Sequence, residues 1–220
     1  MLKITLESNV RPAVRRLRLN NGCGIFFVES LKSLTSTASI VPSSRFLTSA
    51  LLRPIDFGAA RVILELGIGT GPVTMELLRR MRPDAMLYGI EINPVFVDHM
   101  RERVDDARFV PILGGAERLG TILKQKGIGC VDAIVSSLGL TSMGHDQRCS
   151  IVQQAALHLH REGVLTQYQY LHAKGQPNWS CALGLKRFHE EFFLRQYFRQ
   201  VLSEHVLWNL PPAAVYTCRP

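Results

Sequence analysis

The sequence has no pair of cysteines at metal-binding or redox spacing. Its five cysteines, Cys23, Cys130, Cys149, Cys181 and Cys218, lie scattered without a C-x-x-C. An odd, widely spaced set is a poor disulfide framework and a poor zinc site, which points to reduced thiols and a cytoplasmic setting. His145, His158, His160 and His172 show no ligand spacing either, so no metal is expected. No run of 18 apolar residues occurs, so no segment is expected to cross a membrane as a helix. The basic N-terminus is not followed by the apolar stretch and small-residue cleavage site of a secretory signal. Repeats and low-complexity tracts are also missing, which excludes solenoids and fibrous folds. What is left is a chain of 220 residues, enough for one domain with a sizeable core or one domain plus a small appendage.

Acidic residues are scarce near the N-terminus. Within residues 1–60, Lys3, Arg11, Arg15, Arg16, Arg18, Lys32, Arg45 and Arg53 face only Glu7, Glu29 and Asp56. That is +5 of the net +8 in little more than a quarter of the chain. A basic arm favours anionic partners, either phospholipid headgroups or nucleic-acid phosphates, although a solvated tail would carry the same charges. Residues 1–22 read as this arm and end in the turn signal Asn20-Asn21-Gly22. Residues 23–55 read as N-terminal helices. Ile25, Phe26, Phe27, Leu31 and Leu34 recur at roughly helical spacing, and Val41-Pro42-Ser43-Ser44 forms a capped helix start before Phe46-Leu47 and Leu51-Leu52.

From residue 56 onward the pattern is that of an α/β domain. Apolar strands are expected at Val62–Leu66, Met86–Ile92, Phe109–Leu113, Val131–Val135 and Val164–Leu171. Helices are expected between them: Pro72 to about Met81, Pro94 through Val104, then 116–125 and 146–159. This alternation implies a mostly parallel, doubly wound sheet. A helix near 182–193 and two extended segments, about 196–203 and 205–217, imply an antiparallel C-terminal hairpin.

The chemical signal is Glu65-Leu66-Gly67-Ile68-Gly69-Thr70-Gly71, which ends a strand and opens a helix. Glycines there allow a tight turn and close approach of backbone to a ligand. The G-x-G-x-x-G of dinucleotide enzymes does not fit, because position 72 is Pro. The pattern resembles motif I of class I S-adenosylmethionine-dependent methyltransferases, which implies a Rossmann-like fold and S-adenosyl-L-methionine as cofactor. Glu91, 24 residues after Gly67 at the end of the second strand, can accept hydrogen bonds from both ribose hydroxyls. Ile92 beside it can pack on the adenine. Methyltransferases of this class often end the third strand in Gly-Asp-Ala, whose Asp takes the adenine amino group. Here the residues are Gly114-Gly115-Ala116-Glu117. Gly115, Ala116 and Glu117 are the candidates, and Glu117 either substitutes for the missing acid or opens a helix, where carboxylates are favoured.

Several further segments are similar to the bacterial soluble-type phospholipid N-methyltransferases, which convert phosphatidylethanolamine to phosphatidylcholine. They are Phe26-Phe27, Val41-Pro42-Ser43-Ser44, Ile90 to Phe96, Val135-Ser136-Ser137-Leu138, Gln167-Tyr168-Gln169-Tyr170 and Asn209-Leu210-Pro211-Pro212-Ala213-Ala214-Val215-Tyr216. With the glycine loop they span about residues 25–217. The resemblance implies a peripheral enzyme at the inner face of the cell membrane, docked on an anionic surface through its N-terminal segment. It also implies a phospholipid or aminolipid acceptor. Two turns depart from the family: Ser136-Ser137-Leu138-Gly139 replaces a Ser-Gly-Leu-Pro-like turn, and Arg161-Glu162-Gly163 is a reduced turn before strand five. A changed acceptor, such as an ornithine-type aminolipid, would account for both.

An amine must lose a proton before methyl transfer, so polar groups near the acceptor are candidates to orient or receive it. Ser136, Ser137, Tyr168, Tyr170, Asn209 and Tyr216 are these candidates. Tyrosine faces would also favour developing positive charge, although ordinary strand packing accounts for at least one of Tyr168 and Tyr170. An rRNA adenine dimethyltransferase is the rival enzyme. It is disfavoured because residues 136–139 offer neither the amide nor the aromatic with which those enzymes hold a flipped base. A non-catalytic S-adenosylmethionine- or lipid-binding relative is the third reading.

Overall fold

A computed structural model describes residues 44–171 and 190–220, which fold as one compact unit. The strands are β1 (Val62–Leu66), β2 (Met86–Glu91), β3 (Phe109–Leu113), β4 (Val131–Ser136), β5 (Leu159–Tyr170), β6 (Gln200–Val206) and β7 (Ala213–Arg219). The described helices are α1 (Arg45–Leu52), α2 (Pro72–Arg80), α3 (Pro94–Arg103), α4 (Leu119–Gln125), α5 (His145–His158) and α6 (Glu190–Leu194). The arm and docking segment expected within residues 1–43, and most of the helix expected at 182–193, lie outside the described residues.

The strands form one sheet in the order β3-β2-β1-β4-β5-β7-β6. Strands β1 to β5 pair in parallel, while β7 is antiparallel to both β5 and β6. Side chains alternate across a strand, so each strand feeds two cores. Ile63, Leu87, Val135 and Val215 pack with Leu47, Leu51, Val73 and Leu77 of α1 and α2. Leu64, Ile90, Ile134 and Tyr216 pack on the other face with Leu119, Leu123, Ile151 and Val152 of α4 and α5. Leu77 has no exposed surface, and truncating such a leucine to Ala costs about 2–5 kcal/mol.

Local chemistry starts and stops the helices. Ser44 accepts from Leu47 N to cap α1, and Asn93 accepts from Val95 N at 3.0 Å to cap α3. Pro72 and Pro94 take first-turn positions, where a missing N–H costs nothing. Arg108 donates to the carbonyls of Leu78, Met81 and Arg82, satisfying acceptors left over at the end of α2.

Four features differ from the sequence reading. Helix α1, expected among the N-terminal helices of residues 23–55 that would dock on the membrane or act as a lid, packs into the core of the domain, with Leu47, Leu51 and Leu52 fully buried. The helix expected over 116–125 opens as a 3-10 turn, Ala116–Arg118. Arg161-Glu162-Gly163 is not a turn, because β5 already begins at Leu159, whose buried side chain stands opposite Val131. A register shift between Val131 and Ala133 absorbs the exposed residues 160–162. The last two strands are separated by the six residues 207–212 rather than by a short break. Pro211 and Pro212 have no N–H to give a ladder there.

Candidate active site

The carboxyl ends of β1, β2, β3, β4 and β5 share one edge of the sheet, where a doubly wound fold places its ligand. The loop after β1 turns there with φ values of 81°, 49° and 88° at Gly67, Gly69 and Gly71. These glycines are needed for different reasons. A Cβ on Gly71 would come 2.5 Å from Met100 Sδ and Cε, the far end of a flexible side chain that would have to shift, and its left-handed φ adds strain of its own. A Cβ on Gly69 would meet nothing within 4 Å, so only its left-handed backbone and the open space beside it set the requirement. The same loop borders the turn after β4, for a Cβ on Gly67 would lie 3.2 Å from Leu138.

Two carboxylates flank this loop. Glu91, buried at the end of β2, accepts from Gly69 N at 3.1 Å through Oε2 and from Asn93 N at 2.9 Å through Oε1. Both oxygens are fixed, and each keeps a lone pair for a further donor. Glu65 is fully buried in β1 and accepts from Thr74 Oγ1 at 2.7 Å through Oε2, while Oε1 has no partner. Burial pushes its pKa from 4.5 up to about 8. The Thr74 hydrogen bond works against this shift and the nearby Glu91 charge works with it.

Beside Glu91, Ile92 and Leu113 stand exposed, two apolar side chains at the adjacent ends of β2 and β3. In the next turn, a Cβ built on Gly115 would fall 2.1 Å from Glu117 Oε1. The Glu117 carboxylate therefore occupies the place a side chain at 115 would take. Ala116 buries its methyl among α4 and α5 and offers the edge only its backbone.

The sheet divides the six acceptor-site candidates instead of gathering them. Tyr168 and Tyr170 lie on the α1–α2 face, with ring centroids 5.3 Å apart and planes at 72°. Burial, followed by the influence of Tyr170, raises the Tyr168 pKa above the ordinary tyrosine range. Ser136 and Tyr216 lie on the opposite face, and Tyr216 is almost fully buried beneath α5 and α6. Ser137 sits just past β4, its N–H donating to Leu66 O at 2.9 Å. Asn209 is buried in the turn after β6, where Oδ1 accepts from Ser44 N at 3.2 Å and Nδ2 donates to Pro211 O at 2.6 Å.

Three residues at this edge were not singled out from sequence. Thr74 positions Glu65, Leu113 stands exposed beside Ile92 at the strand ends, and Gln169 near the end of β5 buries an amide in which neither Oε1 nor Nε2 has a partner. The first could have been found from its place one turn into the helix after Pro72. The other two look like plain strand residues.

The residues present fit a nucleoside cofactor with a charged amino-acid end. The orphaned Glu65 Oε1, the space beside Gly69 and the two free lone pairs of Glu91 are open positions of that kind. A family model described as a methyltransferase domain matches residues 63–163. An ornithine lipid N-methyltransferase from Singulisphaera acidiphila is 31% identical over 196 residues, 89% of this chain and 94% of that protein. Among solved structures, the 1,6-didemethyltoxoflavin-N1-methyltransferase of Burkholderia thailandensis, with bound S-adenosylhomocysteine, matches with a TM-score of 0.63 at 16% identity, over 89% of this chain and 87% of that one. A TehB-like methyltransferase from Corynebacterium glutamicum matches at 0.52 and 13% identity, over 89% and 96%. These two likenesses show the fold. With the identity to the lipid enzyme they show that this chain belongs to the Rossmann-like, class I S-adenosylmethionine-dependent methyltransferases, in one family with the ornithine lipid N-methyltransferase.

Proposed function

We propose that this enzyme methylates the amine of an aminolipid headgroup, of the ornithine lipid or phosphatidylethanolamine kind. The observation that carries this reading is 31% identity over nearly the whole length of an ornithine lipid N-methyltransferase. The rRNA alternative has no comparable support, and residues 136–139 offer neither the amide nor the aromatic that would clasp a flipped base.

In this reading Glu91 takes the ribose hydroxyls, Ile92 and Leu113 border the adenine, and Glu117 supplies the carboxylate toward its amino group. The backbone of Gly67, Gly69, Gly71, Gly115 and Ala116 lets the cofactor approach, and Glu65 answers its ammonium. When bound, S-adenosylmethionine supplies a methyl group on a positively charged sulfur. The chain has to aim a neutral amine at that methyl, mainly by position and electrostatics. A tyrosine is a neutral phenol near pH 7 and burial moves Tyr168 further from ionisation, so it serves as a hydrogen-bonding wall rather than a base. Its ring and that of Tyr170 present aromatic faces to developing positive charge, worth about 0.5–2 kcal/mol each. Ser137, at the turn beside the glycine loop, is placed to orient the amine. The unpartnered Gln169 amide would gain hydrogen bonds from a polar headgroup. Asn209 and Tyr216 act by holding the acceptor edge together rather than by touching the amine.

Among the described residues no helix is long and apolar enough to cross a membrane. Docking through residues 23–34 on an anionic surface is part of this proposal. The test is incubation with labelled S-adenosylmethionine and separate pools of aminolipid, phosphatidylethanolamine and RNA. Label should enter a lipid pool. Label in RNA alone, or cofactor binding with no pool labelled, would refute the reading.

A further inference from the structure

The turn between β6 and β7 is inside out. Its polar residue, Asn209, is only 4% exposed, whereas Leu207, Trp208 and Leu210 are 66%, 83% and 73% exposed. The inversion is built in, because Asn209 is clamped between Ser44 N and Pro211 O. A single exposed leucine is ordinary on a protein surface. Three large apolar side chains within four residues, held outward on one anchored turn, mark a contact surface.

Its location narrows the partner. Strand β7 runs antiparallel to β5 with Ala213 opposite Tyr170, so the turn lies beyond the carboxyl end of β5. That is the edge carrying the glycine loop and the candidate acceptor side chains. Residues 206–213 contain no charged side chain, and Arg45, next to the clamped Ser44, places a cation at the base of the turn. The chain as a whole carries +8.

We propose that this turn seats the enzyme on a lipid bilayer, with Trp208, Leu207 and Leu210 entering the boundary between headgroups and acyl chains. Tryptophan prefers that depth because its ring is apolar and its N–H needs a polar partner. An irregular turn cannot go deeper, since its backbone groups must keep hydrogen-bonding partners. Arg45 meets anionic headgroups, and the acceptor edge then faces the layer in which an aminolipid lies. A second copy of the chain suits the turn less well, because three side chains fall well short of the roughly 800 Å² per partner of a stable interface. The purpose of the docking rests on the aminolipid reading, but the docking itself is measured separately.

Replacing Trp179 by Phe leaves Trp208 as the only tryptophan. With vesicles of phosphatidylethanolamine and phosphatidylglycerol, its emission should shift to the blue and be quenched by lipids brominated on the acyl chains. In the otherwise native chain, Trp208→Ser with Leu210→Ser should lower vesicle partitioning by at least about tenfold. Methyl transfer to a monomeric short-chain aminolipid should be unchanged. Undiminished partitioning of the double variant, unquenched Trp208 in vesicle-bound protein, or a Trp208-dependent dimer without lipid would each overturn the proposal. If partitioning behaves as stated and no aminolipid is methylated, the acceptor reading fails and the docking turn stands.

Discussion

Replacing Glu65 by Gln tests the electrostatics at the centre of the cofactor site. In the unfolded chain this carboxyl titrates near 4.5, whereas burial in β1 raises it to about 8 in the folded protein. Between those values the folded state keeps a proton that the unfolded state has released, so folding grows less favourable as pH rises. The contribution is fully present below about 4.5 and is lost progressively as pH climbs through about 8. At about 1.4 kcal/mol per pH unit, the whole interval amounts to about 5 kcal/mol. Gln keeps the shape and the Thr74 contact but cannot ionise. Urea denaturation of the cofactor-free protein from about pH 5 to about pH 9 should show the native chain losing stability relative to Glu65→Gln. The two should start close together and separate by up to about 5 kcal/mol at the alkaline end. The methionine ammonium of the cofactor should reverse the shift, so binding near pH 7 should release a proton. Calorimetry in two buffers of different ionisation enthalpy should detect that release in the native protein and not in the variant. Parallel stability curves, with no proton released, would refute a protonated Glu65 in the free enzyme.

Further substitutions separate the other parts of the site. Glu91→Ala should weaken S-adenosylmethionine binding by about 1.5–3 kcal/mol by calorimetry, the scale of a lost charged hydrogen-bonding partner. Gly69→Ala should cost the fold only about 1–2 kcal/mol for its left-handed backbone, since its Cβ meets nothing, yet depress cofactor affinity more strongly than stability. Gly71→Ala should lower the melting temperature by at least as much, because the same left-handed strain is joined by a forced shift of the Met100 side-chain end. Glu117→Ala should weaken cofactor binding by about 1–3 kcal/mol, and adding Gly115→Asp to it should restore much of the loss. An unchanged affinity in Glu117→Ala would assign that residue to the helix start instead.

The parallel half of the sheet was legible because each strand is a short apolar run closed by glycine, proline or a cap. Val62–Leu66 and Phe109–Leu113 fall where they were expected, and Pro72 and Pro94 open their helices. The glycine loop and Glu91 could be singled out as candidates because their spacing follows from strand length and one intervening helix. What sequence could not show was which face a residue takes once strands pair. Tyr168 and Tyr216 were both candidates for the acceptor pocket, but they lie on adjacent, antiparallel strands with Tyr216 opposite Gln167. A difference of one register position sends the two rings to opposite sides of the sheet. The start of β5 was missed for a similar reason. Residues 160–162 are exposed and polar, and only the pairing of Leu159 with Val131 makes them strand. Leu207 and Trp208 read as strand interior, because nothing in their composition reveals that Asn209 turns inward and leaves them outside.

The order of strands in space also orders the events that make them. Strand β6 is translated before β7 but touches the sheet only through it, and β7 has to slide in against β5 before the edge can close. Until then β6 has no partner strand, and the β5 edge beside Tyr168 and Tyr170 is bare. Closing that edge joins β5 to β7, with Tyr170 opposite Ala213, whereas joining β1 to β4 sets Ile63 opposite Ala133, much farther apart in sequence, so loop closure weighs more heavily on the centre of the sheet than on its C-terminal edge.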